Sequence, residues 1–400
     1  MLRPVTVWDE LTGQAEAIAV FKAAAADSSA DASISESAMT HAWLITGPPG
    51  SGRSNLAFAF ATALLSPAGA DGDAATERQV AARTHPDLGV LSTEGVIIKM
   101  DDVRKIVSSS QFSPSLGRYR VMVIEDADRM QERASNVLLK VLEEPPPRTV
   151  WILCAPSEAD LIPTIRSRVR TVRLRVPSVD DVAELISRRD GVDLPTAIRA
   201  AREAQSHIGM AHRLATNAEA RERREKTLDM ALGIRSVSDA VVAAAGLIEL
   251  AGADAKAITE ERDAEEREAA LRSLGIAPGG TIPPALRSQL KALEDDQKRR
   301  ATRSLRDGID RILVDLLSLY RDVLLMQLGS PLEPINLSIH SRLVDAAESS
   351  SPASILAVMD AIAAARRRID GNVNPTLALE AMLVAVTRTR ATAQAGGSTS

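Results

Sequence analysis

The chain has 400 residues, 45% of them hydrophobic and 25% charged, with a formal net charge of −5 at pH 7. That is enough for two or three domains with real cores; the acidic balance argues against a protein that grips nucleic acid with its whole surface and leaves room for a local basic patch or a shared channel. A single cysteine, Cys154, excludes an internal disulfide framework; no run approaches the roughly 18 apolar residues of a membrane span, and no signal peptide opens the chain, so a cytoplasmic location is expected.

Residues 7–21 read as a turn and then a helix, and residues 23–37 as a flexible insertion of Ala, Ser and Asp. The run from His41 to Thr46 is a buried strand. It leads through a Gly/Pro-rich loop into an apolar helix over 55–65. Residues 66–84 are small and polar, a loop region with some helix, and a further helix covers 102–111. The runs 119–124 and 150–155 are continuously apolar, as expected of strands buried on both faces. Between them a helix over 129–144 is stopped by Pro145, Pro146 and Pro147. A short strand over 169–174 closes the region. Strands alternating with helices predict an α/β parallel sheet to about Pro177.

Beyond that point helical periodicity takes over. Aromatics are only 2% of the chain, so Ala, Leu, Ile and Val must build the cores, which favours helix packing. Residues 178–218 form a small helical unit behind a Ser-Val-Asp-Asp cap. Residues 220–226 read as a charged connector. Longer helices from Met230 are divided by a Gly/Pro break at 275–284, and the tail from Thr389 reads as disordered. The expected domains are 1–177, 178–226 and 227–388, with a tail over 389–400.

Gly47-Pro48-Pro49-Gly50-Ser51-Gly52-Arg53-Ser54 lies between a strand and a helix. It fits the phosphate-loop pattern, with Arg53 in the lysine's place. Gly47, Gly50 and Gly52 let backbone N–H groups turn toward phosphate, and the helix start adds partial positive charge. Ser54 is placed to hold the magnesium of a nucleotide. Arginine is a wide planar fork where lysine is a compact charge. Either Arg53 neutralises phosphate in a different geometry, or the loop keeps its shape and binds nothing tightly.

The later apolar strand over 119–124 ends in Glu125-Asp126-Ala127-Asp128. Phosphate-loop ATPases commonly place Asp and then Glu here, for the metal and for the attacking water. The order is reversed. Glu125 is one methylene too long and Asp126 one too short, and a misplacement of about 1 Å costs on the order of a hundredfold in rate. Poor hydrolysis is expected. Asp128 reads as a cap of the next helix.

Three further segments resemble the bacterial clamp-loader family. NVLLKVLEEPP over 136–146 is similar to its N-A-L-L-K-x-L-E-E-P-P signature. Thr164-Ile165-Arg166-Ser167-Arg168-Val169 resembles its T-I-R-S-R-C segment, with Val169 for the cysteine. Trp8-Asp9-Glu10-Leu11-Thr12-Gly13-Gln14 resembles its opening segment, which ends in Gly-Gln. Order and spacing agree over roughly the first 215 residues. Residues 293–325 and 372–383 resemble the collar helices of actinobacterial members, with Asn374-Pro375 as a helix cap followed by a first-turn proline.

The resemblance implies a P-loop AAA+ α/β parallel sheet domain, a small helical lid domain and an all-α C-terminal collar. It implies a hetero-pentamer with motor (tau/gamma) and delta subunits, which uses ATP to place a sliding clamp on primed DNA, with no membrane involved. This chain looks like a largely non-hydrolysing member. Its Arg168 would reach, as an arginine finger, to the ATP of a neighbouring motor subunit. A catalytically competent ATPase, or a scaffold whose Arg168 does no catalytic work, are the alternatives.

The chain also departs from the family. Many relatives carry a four-cysteine zinc module before a His-Pro-Asp segment. His85-Pro86-Asp87 is present, but 66–84 holds no cysteine, so no zinc is expected. Cys154 reads as a small core residue. The family's sensor arginine falls at Gly209 and its polar strand-end sensor near Ala155. With Arg53 and the Glu125/Asp126 reversal, ATP and magnesium are expected to bind weakly at the chain's own site. Lys298, Arg299, Arg300, Arg303 and Arg306 read as a solvated face paired with Glu294, Asp295 and Asp296. His207 and His212, five apart, read as ordinary helix residues.

Overall fold

The computed structural model describes residues 7–8, 11–27, 39–93, 97–273 and 287–396. They fall into two units, Met1–Thr216 and Asn217–Ser400. The first runs α1 (Ala15–Asp27), β1 (Ala42–Thr46), α2 (Arg53–Leu65), α3 (Ala74–Ala81), β2 (Leu88–Leu91), α4 (Met100–Ser110), β3 (Arg120–Ile124) and α5 (Glu132–Glu143). It continues with β4 (Thr149–Ala155), α6 (Pro163–Arg166), β5 (Arg170–Arg173), α7 (Val179–Asp190), α8 (Leu194–Glu203) and α9 (Ile208–Thr216).

Among the described residues five strands form one parallel sheet, ordered β2-β3-β4-β1-β5. β1 and β4 are buried at every position and lie side by side, with Trp43 opposite Ile152 and Ile45 opposite Cys154. Successive side chains leave on opposite faces. Trp43, Ile45, Val123 and Cys154 therefore join the core with α1 and α2, while Leu44, Met122, Ile124 and Trp151 join the one with α4 and α5. Phe21, Trp43 and Phe60 pack with ring centroids 4.5–5.5 Å apart. Cys154 is fully buried, and burial pushes its thiol pKa up, so it is a core residue as expected. β2 escaped the sequence pattern because it is a short, half-buried edge strand that contains Gly89.

Asp87, fully buried just before β2, ties the sheet edge to the turn that enters β3. Its carboxylate accepts from the Ser115, Leu116 and Gly117 amides at 2.6–2.7 Å and from the Ser115 hydroxyl at 2.8 Å. Burial alone raises its pKa; those bonds outweigh burial and hold it at about 2, against 3.8.

Two expectations for this unit change. Residues 23–27 are the last turns of α1, and the rest of the expected insertion, apart from this stretch, lies outside the described residues. Asp128 does not cap α5: it sits in a 3-10 turn, Ala127–Arg129, and Gln131 is the residue at the helix start.

The second unit is helical: α10 (Ala218–Gly233), α11 (Val237–Ser273), α12 (Arg287–Gln327), α13 (His340–Glu348), α14 (Pro352–Asp370) and α15 (Pro375–Gly396). Leu247, Leu313, Leu316, Ile362 and Leu379 lie in its core. Residues 220–226 are not a connector. They are the body of α10, which Asn217 caps by accepting from the Ala220 amide at 3.0 Å, so the boundary falls at Thr216 and not at 226. The charge pattern misled because Arg224 is buried and turned inward. The expected disordered tail is also corrected: α15 continues past Thr389 to Gly396. Asn374 caps α15 as expected, accepting from the Thr376 amide at 2.9 Å. The Gly/Pro break lies outside the described residues. In the basic run Arg300 is buried and pairs with Asp263 of α11, and Arg303 pairs with Asp307, while Glu294 takes Arg267.

A polar network crosses this apolar core. Arg224 donates to Asp315 at 3.0 Å and to the Asn336 side chain at 2.6 Å. Asn336, fully buried, donates its backbone and side-chain N–H to Asp322 at 2.8 Å each. Burial raises the Asp315 pKa and the Arg224 charge opposes it.

Two stability tests follow. The depressed Asp87 pKa contributes about 2 kcal/mol, present above pH 3.8 and lost as pH falls through about 2. Asp87→Asn should lower the urea unfolding free energy by about 2–4 kcal/mol at neutral pH and flatten its fall in acid. Trp8, Trp43 and Trp151 all lie in the first unit, so tryptophan fluorescence reads that unit alone. In the second unit, Arg224→Met strips Asp315 of this partner and should cost about 3–5 kcal/mol. Adding Asp315→Leu should recover most of it, as read from helical circular dichroism.

Candidate functional site

All turns that follow a strand of a parallel sheet leave from one edge. The loop Gly47–Ser54 follows β1, and Glu125 and Asp126 follow β3, so the sheet brings them to the same edge. The loop's turn needs a left-handed backbone, φ +79° at Gly50 and +90° at Gly52, which glycine adopts without strain. The Gly47 amide donates to the Pro156 carbonyl at 3.2 Å, fastening the loop to the end of β4. Ser51 is buried, and its hydroxyl has no hydrogen-bond partner among the described residues. Ser54 stands half-buried in the first turn of α2.

Arg53 turns back on its own loop. Its Nη1 donates to the Gly47 carbonyl at 2.7 Å. Glu125 is engaged as well: Arg83 donates Nη2 to its Oε1 at 2.5 Å and Nη1 to the Ser92 hydroxyl at 3.1 Å. The Arg83 guanidinium also lies 5.6 Å from the centre of the Phe58 ring on α2. Asp126 is 4.0 Å from Arg129, a looser pair. Burial raises the pKa of Asp128, with the Asp126 charge adding to it.

Sequence reading missed Arg83. It stands 42 residues before Glu125, in the turn after α3, and no spacing rule connects the two. The one local signal is its backbone: φ is +57°, uncommon for arginine.

The start of α9 closes on the loop. The His207 ring stands so close to Gly50 that a Cβ there would lie 2.2 Å from its Cγ. His207 is therefore more than an ordinary helix residue. His212 is apart from it, 2.7 Å from Asp190, whose carboxyl is held at about 2 by the Arg189 and His212 bonds. At Gly209 an added Cβ would meet only the His207 ring, and Ala155 is fully buried with no polar side-chain atom.

A magnesium-nucleotide requires a carboxylate open to the ion, a cation aimed at phosphate and a polar sensor. Glu125 is ion-paired, Arg53 is spent on a loop carbonyl, and Gly209 and Ala155 supply nothing. Glu125, Arg53, Gly209 and Ala155 thus do not supply that set, and Asp126, 4.0 Å from Arg129, is the other carboxylate at the loop.

Arg168 is on the other edge of the sheet. β5 runs parallel to β1 with Arg170 opposite Trp43 and Arg173 opposite Thr46. Arg168 precedes β5, whereas Gly47 follows β1. The rise from Trp43 to Gly47 alone is about 13 Å at roughly 3.3 Å per residue, so Arg168 is not brought to the loop of its own chain. Its guanidinium is held in place. Nε and Nη2 both donate to Glu143 Oε1, the first at 2.8 Å; Nη1 donates to the Thr164 carbonyl at 2.6 Å and to the Ser167 hydroxyl at 3.0 Å. The side chain is still 31% exposed. Nearby arginines are differently engaged: Arg170 lies over Trp43 at 5.1 Å and Arg173 pairs with Glu158 at 3.0 Å.

Residues 24–178 match the family model described as DNA polymerase III, delta subunit. A Pseudomonas aeruginosa protein named DNA polymerase III subunit delta' is 40% identical over 134 residues, which are 32% of this chain and 41% of that one. A Mycobacterium tuberculosis protein named DNA polymerase III subunit gamma/tau is 27% identical over 172 residues, 40% of this chain and 29% of that one. The chain thus spans less than half the length of these relatives. Among solved structures, a DNA polymerase III gamma subunit-related protein of Thermotoga maritima aligns with a TM-score of 0.37 and 17% identity, over 87% of this chain and 94% of that one.

The contact between His207 and the loop is open to a direct test. Gly50→Ala should lower the stability of the first unit by about 2–4 kcal/mol, through overlap and backbone strain together. Gly50→Ala with His207→Ala should recover the overlap and leave about 1 kcal/mol of strain. Tryptophan fluorescence during urea unfolding measures both. Equal losses in the two variants would show that His207 does not press on Gly50.

Proposed function

We propose that the chain is the delta'-type subunit of a clamp loader, a reading supported by the family-model match over residues 24–178 and by the likeness to proteins named DNA polymerase III subunit delta'. In this reading it hydrolyses little or no ATP itself. It stands in a hetero-pentamer beside a motor subunit of the gamma/tau kind and offers Arg168 to that neighbour's ATP. The assembled ring loads a sliding clamp on primed DNA during replication.

The observation that carries this reading is the polarity of the sheet. Arg168 precedes β5 and the phosphate loop follows β1, so the arginine faces away from any nucleotide of its own chain. A guanidinium there is out of reach of the loop of its own chain, which supports a role at a site on another molecule. The engagement of Glu125 and Arg53 supports the same reading, because it leaves the chain poorly equipped for hydrolysis. In the neighbour's site Arg168 would stabilise charge that develops on the transferring phosphoryl group. Glu143, Thr164 and Ser167 would keep the guanidinium oriented until then.

ATP turnover should be measured for the chain alone and then after reconstitution with motor and delta subunits. The chain alone should show none. In a ring whose other motor sites are disabled, Arg168→Ala should lower turnover at the adjoining site by at least about a hundredfold, with the ring intact by gel filtration. Arg168→Lys should not restore it, since lysine lacks the planar fork. Robust turnover by the isolated chain would make it an ATPase in its own right. Full activity of the Arg168→Ala ring would reduce the chain to a scaffold.

A further inference from the structure

Arg83 belongs to no pattern of the sequence, yet it holds Glu125, the first acid after β3. We propose that Arg83 is a resident cation that takes the place of the divalent ion at Glu125, so that any nucleotide phosphate the loop accepts is bound without magnesium. The inference is separate from the reading of Arg168 and stands whether or not that arginine serves a neighbour.

Three contacts define the position. The guanidinium donates to Glu125 at 2.5 Å and to Ser92 at 3.1 Å, and stacks near Phe58 at 5.6 Å. The left-handed turn at Arg83 aims the side chain from the end of α3 toward the end of β3. Glu125 is only 14% exposed on its side chain, so the carboxylate cannot turn freely into water to meet an ion. Arginine keeps its charge at every accessible pH. A divalent ion at Glu125 would therefore meet a positive charge within a few ångströms, on a guanidinium that is 47% exposed beside an enclosed carboxylate. Arg53, on the Gly47 carbonyl, is a second cation at the same loop. Together they supply the positive charge that magnesium supplies in a phosphate-loop ATPase.

The test is a titration of the full chain with a fluorescent N-methylanthraniloyl ATP, in magnesium and in EDTA. Arg83→Asn removes the cation, and asparagine accepts the left-handed backbone. The wild type should show the same affinity in both conditions, undetectable in both included. Arg83→Asn should bind at least about tenfold more tightly in magnesium than in EDTA, and Arg83→Asn with Glu125→Gln should lose that difference. A wild type that binds tenfold or more tightly in magnesium overturns the proposal, and needs no variant to fold. An Arg83→Asn chain with native circular dichroism and no magnesium dependence overturns it too. Arg168 is untouched in every arm, so neither result is confused with failure of the finger.

Discussion

The parallel pairing of β1 with β4 and β5 is the constraint on which the rest of the first unit depends. Parallel strands share a direction, so the sheet has two chemically different edges. One receives the turns that follow strands: the phosphate loop, Glu125 and the end of β4. The other receives the turns that precede them, including the one that carries Arg168. Burial enforces the pairing. β1 and β4 are closed off on both faces, and a slip of one residue would send Trp43 and Cys154 into the wrong core.

Guanidinium groups set the electrostatics at both edges, and exposure decides how firmly each is held. Arg168 and Glu143 are 31% and 49% exposed. A pair so open to water is worth roughly 0–1 kcal/mol, so Glu143 can orient the arginine and still release it. Arg83 meets a Glu125 that is only 14% exposed, with Ser92 and Phe58 around it. The Arg83 side chain is itself 47% exposed, so in this pair the carboxylate is enclosed and the guanidinium is open to water.

The helical unit meets a different problem. Leu, Ile, Ala and Val cores pack in many ways, and polar groups inside them restrict the choice. Arg224 on α10, Asp315 and Asp322 on α12, and Asn336 in the turn before α13 satisfy one another. They fix the height of α10 against α12 and draw the chain after α12 inward. A charge-rich stretch that reads as a connector is in fact a helix with one arginine inside. Exposure cannot be read from charge alone, because the partner that makes burial affordable lies 91 residues away.

The sequence by itself determined the local chemistry: the Gly47–Ser54 loop, the buried strands β1, β3 and β4, the reversed acids after β3, and the change to helices after Pro177. Each is written in residues close together in the chain, through apolar period, turn residues or a short motif. Tertiary structure alone decided which groups meet. It turned Arg53 onto Gly47, brought Arg83 to Glu125, set His207 on Gly50 and separated Arg168 from the loop by the height of the sheet. The short edge strand β2 and the buried Arg224 belong with these. The reason is the same throughout: a hydrogen bond or ion pair between distant residues leaves no periodic trace in the chain, and is made only when the sheet and helices carry both partners to one place.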